Sequence, residues 1–208
     1  MAKKTKTSYH HGDLRQALIN AAITLISEKG PNSFSLREVA KRAGVSHTAP
    51  YRHFKDKDSL LSAIALIGFQ LLADRLIEVQ AQYTSDPLRQ FMEAEKVYVE
   101  VAVENPEVSQ LMFGGYIPQE HCVGELAEVS QSAFQQLFVI IENGQKANVL
   151  KQQDTMELSL AAWSMVHGLS SLINSGQLLG HVETQQEVEN ITIKLGRLLF
   201  EGLKETSS

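Results

Sequence analysis

Apolar residues recur every three or four positions along almost the whole chain, the period of helices that bury one face. Leu14, Leu18, Ala21 and Leu25 define a first helix over roughly 13–29, and Gly30-Pro31 stops it. Ser35 stands three residues before Glu38, the spacing of a capping box, ahead of a short second helix whose inner face is Leu36, Val39, Ala40 and Ala43. Gly44 ends that helix as a left-handed cap. Ser46 caps a third helix to about His53, in which Pro50 removes at most one helical hydrogen bond. A fourth starts near Lys57 or Asp58 and carries Leu60, Leu61, Ile64, Ile67, Leu71 and Leu72 towards Gln82.

The second part of the chain repeats this pattern. Asp86-Pro87 and Asn105-Pro106 each place a capping residue before a proline at the first helical position. A loop around Gly114, Gly115 and Pro118 leads to a long amphipathic stretch, 123–146. Asp154 with Glu157 and Thr184 with Glu187 make two further capping boxes, for helices over 155–178 and 185–204. No strand pattern, fixed-period repeat or Gly/Ser linker interrupts, so the expected fold is all-α, about nine helices, with an N-terminal head packed directly on a larger body.

Composition agrees with a globular chain: of 208 residues, 43% are hydrophobic and 21% charged, with 5 Pro and 13 Gly. No apolar run is expected to reach the roughly 18 residues of a membrane span, and the basic start lacks the apolar core of a signal peptide, so the expected setting is cytoplasmic, without membrane contact. The single Cys122 excludes an internal disulfide framework. Charge changes the picture further. Residues 1–58 hold 11 Lys and Arg against 5 Asp and Glu, whereas the whole chain nets −5, so a basic head precedes an acidic body. The expected division is 1–58, head with its basic arm (Lys3, Lys4, Lys6), and 59–208, body. A basic head fits a polyanion, and charge alone does not separate DNA from RNA or an anionic membrane.

Two short helices joined at Ala43-Gly44-Val45-Ser46 form a helix-turn-helix. Ala40 is small where the helices cross, and Val45, Tyr51 and Phe54 offer apolar surface against the first helix. Residues 9–61, through SYHHGDLRQALINAA, FSLREVAKRAGVS and PYRHFKDKDSLL, resemble the DNA-binding domain of the TetR family of bacterial transcriptional regulators. Trp163, His167 and Gly168 in AAWSMVHGLSSL resemble one C-terminal variety of that family. The resemblance implies that Ser35, Arg37, Tyr51, His53 and Lys57 approach phosphates, contacts that set register without reading sequence. Base reading then falls to Ser46, His47, Thr48, Ala49 and Arg52. His47 and Pro50 depart from the usual family surface, which leaves the operator open.

Candidate chemistry elsewhere is sparse. His10 and His11 adjoin on an arm without a spaced partner, so no metal is expected, and no cofactor, Gly-rich phosphate loop or triad pattern suggests an enzyme. Phe69, Phe91, Met112, Phe113, Phe134, Phe138, Trp163 and His167 are candidates for lining an effector pocket, and equally for plain core. The stripes Leu158, Met165, Leu169, Leu172 and Ile191, Leu195, Leu198, Leu199, with Gly168, Ser171, Gly196 and Gly202 allowing close approach, exceed what one body needs. They suggest a two-fold four-helix bundle. The expected protein is a homodimer that binds double-stranded DNA at a pseudo-palindromic operator and is released by a small-molecule effector. A constitutive binder, an activator and an RNA- or membrane-surface module are the rival readings.

Overall fold

A computed structural model describes residues 11–178 and 182–204. The expected arm (Lys3, Lys4, Lys6) and His10 lie outside them. Among the described residues eight helices follow one another: α1 His11–Lys29, α2 Leu36–Arg42, α3 Lys57–Gln82, α4 Pro87–Glu104, α5 Pro106–Phe113, α6 Glu125–Lys146, α7 Thr155–Asn174 and α8 Gln185–Leu203. Two 3-10 turns, Pro50–Arg52 and Gln119–His121, lie between them. Among the described residues the only extended pairing is one isolated bridge, Leu150 to Lys204.

The caps show why the helices begin where they do. Ser35 and Glu38 bond reciprocally at α2, Asp56 and Ser59 at α3, and Thr184 and Glu187 at α8. At α7 only half a box forms, because Asp154 accepts from the Glu157 amide without a return bond. Asn105 does not cap α5 with its side chain, which bonds back to the Val101 carbonyl at 3.0 Å. Gly44 takes φ +69°, and the amides of Gly44 and Val45 then close onto Lys41 and Ala40 carbonyls.

The expected third helix, 46–53, is not an α-helix. Pro50 has no amide to donate to the Ser46 carbonyl, which accepts instead from Ala49 at 2.9 Å. The chain tightens accordingly: Arg52 bonds to Ala49 and His53 to Pro50, both three residues back. α7 also ends earlier than its periodicity suggests, since Gly176 at φ +70° follows it, whereas α8 ends at Leu203, close to its expected end.

Leu18, Ile19, Leu25, Val39, Phe54, Leu60, Leu61 and Ile64 form the core of the head, all buried. Tyr51 is 54% exposed, so, against expectation, it does not help to lock this unit onto α1. Farther along, α3 buries Phe69, Leu72 and Leu76 in the body, against α4, α5 and α6. Where it crosses α5, Gly68 is required: a Cβ there would lie 2.5 Å from the Met112 sulfur and 2.6 Å from a Val108 methyl. By length and composition α3 is apolar enough to cross a bilayer, against the expectation of no such run. Half of that stretch is buried in the protein, because one helix serves both cores.

Candidate nucleic-acid interface and body cavity

The segment 46–52 presents Ser46, His47, Thr48, Tyr51 and Arg52 to solvent, while Ala49 and Pro50 turn inwards and are buried. Ala49 thus stands at 8% exposure and leaves the set expected to read bases. The hydroxyls of Ser46 and Thr48 lie 3.2 Å apart, so each is held by the other. Of the residues expected at phosphates, Arg37 is exposed on the first turn of α2 and His53 is half-buried. The Ser35 hydroxyl is already occupied by Glu38, at 3.0 Å.

Electrostatics leave the head positive on this side. Glu38 is held by Lys29 at 2.8 Å and Glu28 by Arg42, so two of its acids are neutralised locally. The Lys29 bond, then those from Ser35, lower the Glu38 carboxyl to about 2. Among the described residues Arg37, Lys41, Arg52 and Lys55 are exposed and enter no ion pair. Lys57, at the start of α3, lies over the Phe34 ring at 4.5 Å, and partial burial lowers its ammonium below the ordinary range. It holds the head together at the same place where it would meet a phosphate.

In the body, α3, α4, α5, α6 and α7 line a cavity of about 500 Å³ that opens to solvent past Met156 and Leu160. Phe69, Phe113, Phe134 and Trp163 line it, as the sequence suggests. Phe91 does not: it is fully buried and tilted against Phe200, 6.4 Å between centroids. Met112 instead fills the crossing at Gly68, and Phe138 is half-buried away from this lining. His167 opens on a separate cleft of about 430 Å³, between Ile26 and Ser27 of α1 and the α5 and α7 helices.

Tyr98 was not expected in the site and connects the two spaces. Its hydroxyl accepts from the Trp163 indole at 3.2 Å and lies 3.1 Å from His167 Nδ1. An indole nitrogen only donates, so the pattern satisfying all three has Tyr98 donating to Nδ1 and places the His167 ring proton on Nε2. Burial pushes the Tyr98 hydroxyl well above its ordinary range, keeping that proton in place. Of the other missed lining residues, Leu72, Leu76, Leu137, Met156 and Leu160 are ordinary members of apolar stripes, and Ser130, Gln131 and Ala133 share α6 with Phe134. A tyrosine within a buried helix face was the one signal available for Tyr98.

The expected dimerisation stripe divides. Leu158 and Leu169 are buried within the chain at 3% and 4% exposure, so they belong to its own core. Leu172 and Leu198 are exposed at 41% and 69%, while Met165, Ile191, Leu195 and Leu199 are half-buried. Gly168 and Gly202 face open space, but Gly196 abuts Glu95 of α4 instead of a free surface.

Residues 18–64 match the family described as bacterial regulatory proteins, tetR family, and residues 91–193 match the tetracyclin repressor-like C-terminal domain. The chain is 35% identical to the HTH-type transcriptional regulator AcrR of Shigella flexneri over 132 residues, 64% of this chain and 60% of AcrR. It therefore spans less than two thirds of that relative. A protein of unknown function from Rhodococcus sp. RHA1 superposes with TM-score 0.80 at 28% identity, over 95% of this chain and 99% of that one. A bacterial regulatory protein in the tetR family from Rhodococcus RHA1 has the same fold, with TM-score 0.75 at 22% identity over 97% and 100% of the two chains.

Proposed function

Because the chain belongs to the TetR family of bacterial regulatory proteins, we propose that it is a homodimeric operator-binding repressor released by a small-molecule effector. The observation that carries this is the path of α3: its first turns are packed into the basic head through Leu60, Leu61 and Ile64, and its later turns form a wall of the cavity through Phe69, Leu72 and Leu76. A ligand that prefers a shifted α3 shifts the heads by the same preference. Two heads reach successive major grooves only when about 34–36 Å, one helical turn, separates them. Tilting the shared helix therefore weakens operator binding.

In this reading the head, placed at 1–58, also takes in the first turns of α3 through Ile64, and the rest of 59–208 is the body. Ser46, His47, Thr48 and Arg52 read bases, and Arg37, Tyr51, His53 and Lys57 meet phosphates. The exposed apolar face of α7 and α8 makes the dimer, and the acidic body stays clear of DNA. The setting is the cytoplasm, on the nucleoid.

Selection of bound fragments from sheared DNA of the source organism tests the reading. Enrichment of a palindromic site, bound more than about a thousandfold tighter than scrambled DNA, supports it. Absence of any enriched site, with and without cell-extract metabolites, overturns it. Loss of that complex on adding a compound that quenches Trp163 emission supports effector release, whereas a complex indifferent to every such compound marks a constitutive binder.

A further inference from the structure

Glu95 sits on the inner face of α4, 5% exposed, with its Oε1 atom shut from solvent and without a hydrogen-bond partner, the one such side-chain atom among the described residues. An unpaired carboxylate in such a place is costly, and a neutral carboxyl much less so. Its other oxygen rests directly against Gly196 of α8: a Cβ at that position would overlap Oε2. The contact joins α4 to one of the two helices that carry the exposed apolar face.

Among the described residues no cation forms an ion pair with Glu95. On α4 itself Lys96 is engaged by Glu93 at 3.2 Å and by Glu189 of α8 at 3.3 Å, and Arg89 lies over Tyr83. From α8, Arg197 borders the same recess but is exposed. The titratable groups of α7 are Glu157, exposed at its start, and His167, held by Tyr98. Arg75 of α3 pairs with Glu100, Glu142 of α6 pairs with Lys146, and Glu107 of α5 is half-buried beside the separate cleft that His167 opens on. Besides Glu95 itself, the recess of about 340 Å³ is bordered by two acidic side chains, Asp86 and Glu93, and three basic ones, Arg89, Lys96 and Arg197, none of which bonds the buried carboxyl. A buried carboxyl without a partner is less costly protonated than ionised, so the seated state favours the neutral form.

We infer that the α4–α8 contact is a proton-dependent latch: the neutral Glu95 carboxyl seats α8 on α4 through Gly196, and loss of its proton unseats α8 together with its half of the exposed apolar face. Burial alone pushes the Glu95 carboxyl from an ordinary 4.5 to about 8. A raised carboxyl value means that the seated state binds the proton more tightly than the unseated one. Seating is therefore complete at pH below about 4.5, falls about tenfold per pH unit above it, and levels off beyond about 8.

The test compares wild type with Glu95→Gln, which keeps the shape and the neutral charge. Thermal unfolding and sedimentation of both full-length proteins are followed at pH 6, 7, 8 and 9. The wild type is expected to lose up to about a hundredfold in its folding equilibrium between pH 6 and 8, beyond whatever the variant loses, with little difference added above 8. Equal pH slopes in the two proteins overturn the latch. If the variant does not fold, carbon-13 titration of the wild-type carboxyls decides: one glutamate titrating near pH 8 supports the latch, and all of them titrating below about pH 6 overturn it. The effect on assembly rests on the proposed dimer. Sedimentation as a monomer at every pH removes that reading, while the unfolding slopes still report the latch.

Discussion

The hydroxyl of Tyr98 on α4 lies 3.1 Å from Nδ1 of His167 on α7 and accepts the Trp163 indole proton at 3.2 Å, so one oxygen joins the aromatic cavity to the cleft beneath the head. Tyr98→Phe keeps the ring and removes both bonds. The buried indole donor and the imidazole acceptor are then left unpaired, at about 1–3 kcal/mol. Urea unfolding measures this cost. The chain has a single tryptophan, so the emission of Trp163 should shift in the same variant, and unaltered emission together with unaltered stability would show that the bonds do not form.

Pro50→Ala restores an amide that can donate to the Ser46 carbonyl. The 3-10 geometry of Pro50–Arg52 should then give way to an α-helical turn, which rotates Arg52 relative to Thr48. Hydrogen exchange reads the change directly, as protection of the new amide at position 50. On DNA the variant should lose discrimination between operator and scrambled sequence while keeping its non-specific affinity, because no charge has changed.

Lys57→Ala should weaken binding to every sequence and lower the salt slope by about one unit, whereas Arg52→Ala should relax preference at one base pair. The Lys57 substitution also removes the ammonium from above Phe34, which predicts a stability loss of about 0.5–1 kcal/mol on unfolding in the absence of DNA. An unchanged salt slope with that stability loss would assign Lys57 to the head's packing alone.

Two leucines on one expected stripe should behave oppositely. Leu198→Asp, at a position 69% exposed, should leave monomer stability within about 0.5 kcal/mol and raise the dimer dissociation constant at least tenfold, read by sedimentation equilibrium. Leu169→Ala, at 4% exposure, should cost about 2–5 kcal/mol of folding stability. A Leu198→Asp protein as dimeric as wild type would place the interface elsewhere.

Acid should loosen the head through Glu38. Its carboxyl is held near 2 by Lys29 and Ser35, so the contribution of that capping box is complete above about pH 4.5 and disappears as pH falls through about 2. Melting temperatures followed from pH 5 to pH 2 should fall less steeply in Glu38→Gln than in wild type. Parallel curves would mean that the carboxylate makes no difference to the fold.

Much of this structure was legible in the residues themselves. The periods of Leu18, Ala21 and Leu25 or of Leu60, Leu61 and Ile64 mark a helix and its buried side, because a 3.6-residue turn leaves no other way to bring those side chains together. Ser35 with Glu38, Thr184 with Glu187 and Gly44 mark helix ends through bonds that span three or four residues, all local. The helix-turn-helix and its basic face follow from such local rules. What tertiary structure decided depends on which element comes to lie opposite. Leu169 and Leu172 share a helix and a chemistry, yet one is buried in the core while the other meets solvent, a difference set by how α7 packs. Pro50 was visible, and its missing amide is the local cause of the 3-10 turn, but that Ala49 faces inwards while Thr48 and Arg52 face solvent was decided by the packing of the head. Tyr98 and Glu95 are three residues apart on α4 and read alike as polar members of a helix; the approach of Trp163 and His167 gave the first its partners, and the bare backbone of Gly196 left the second with none.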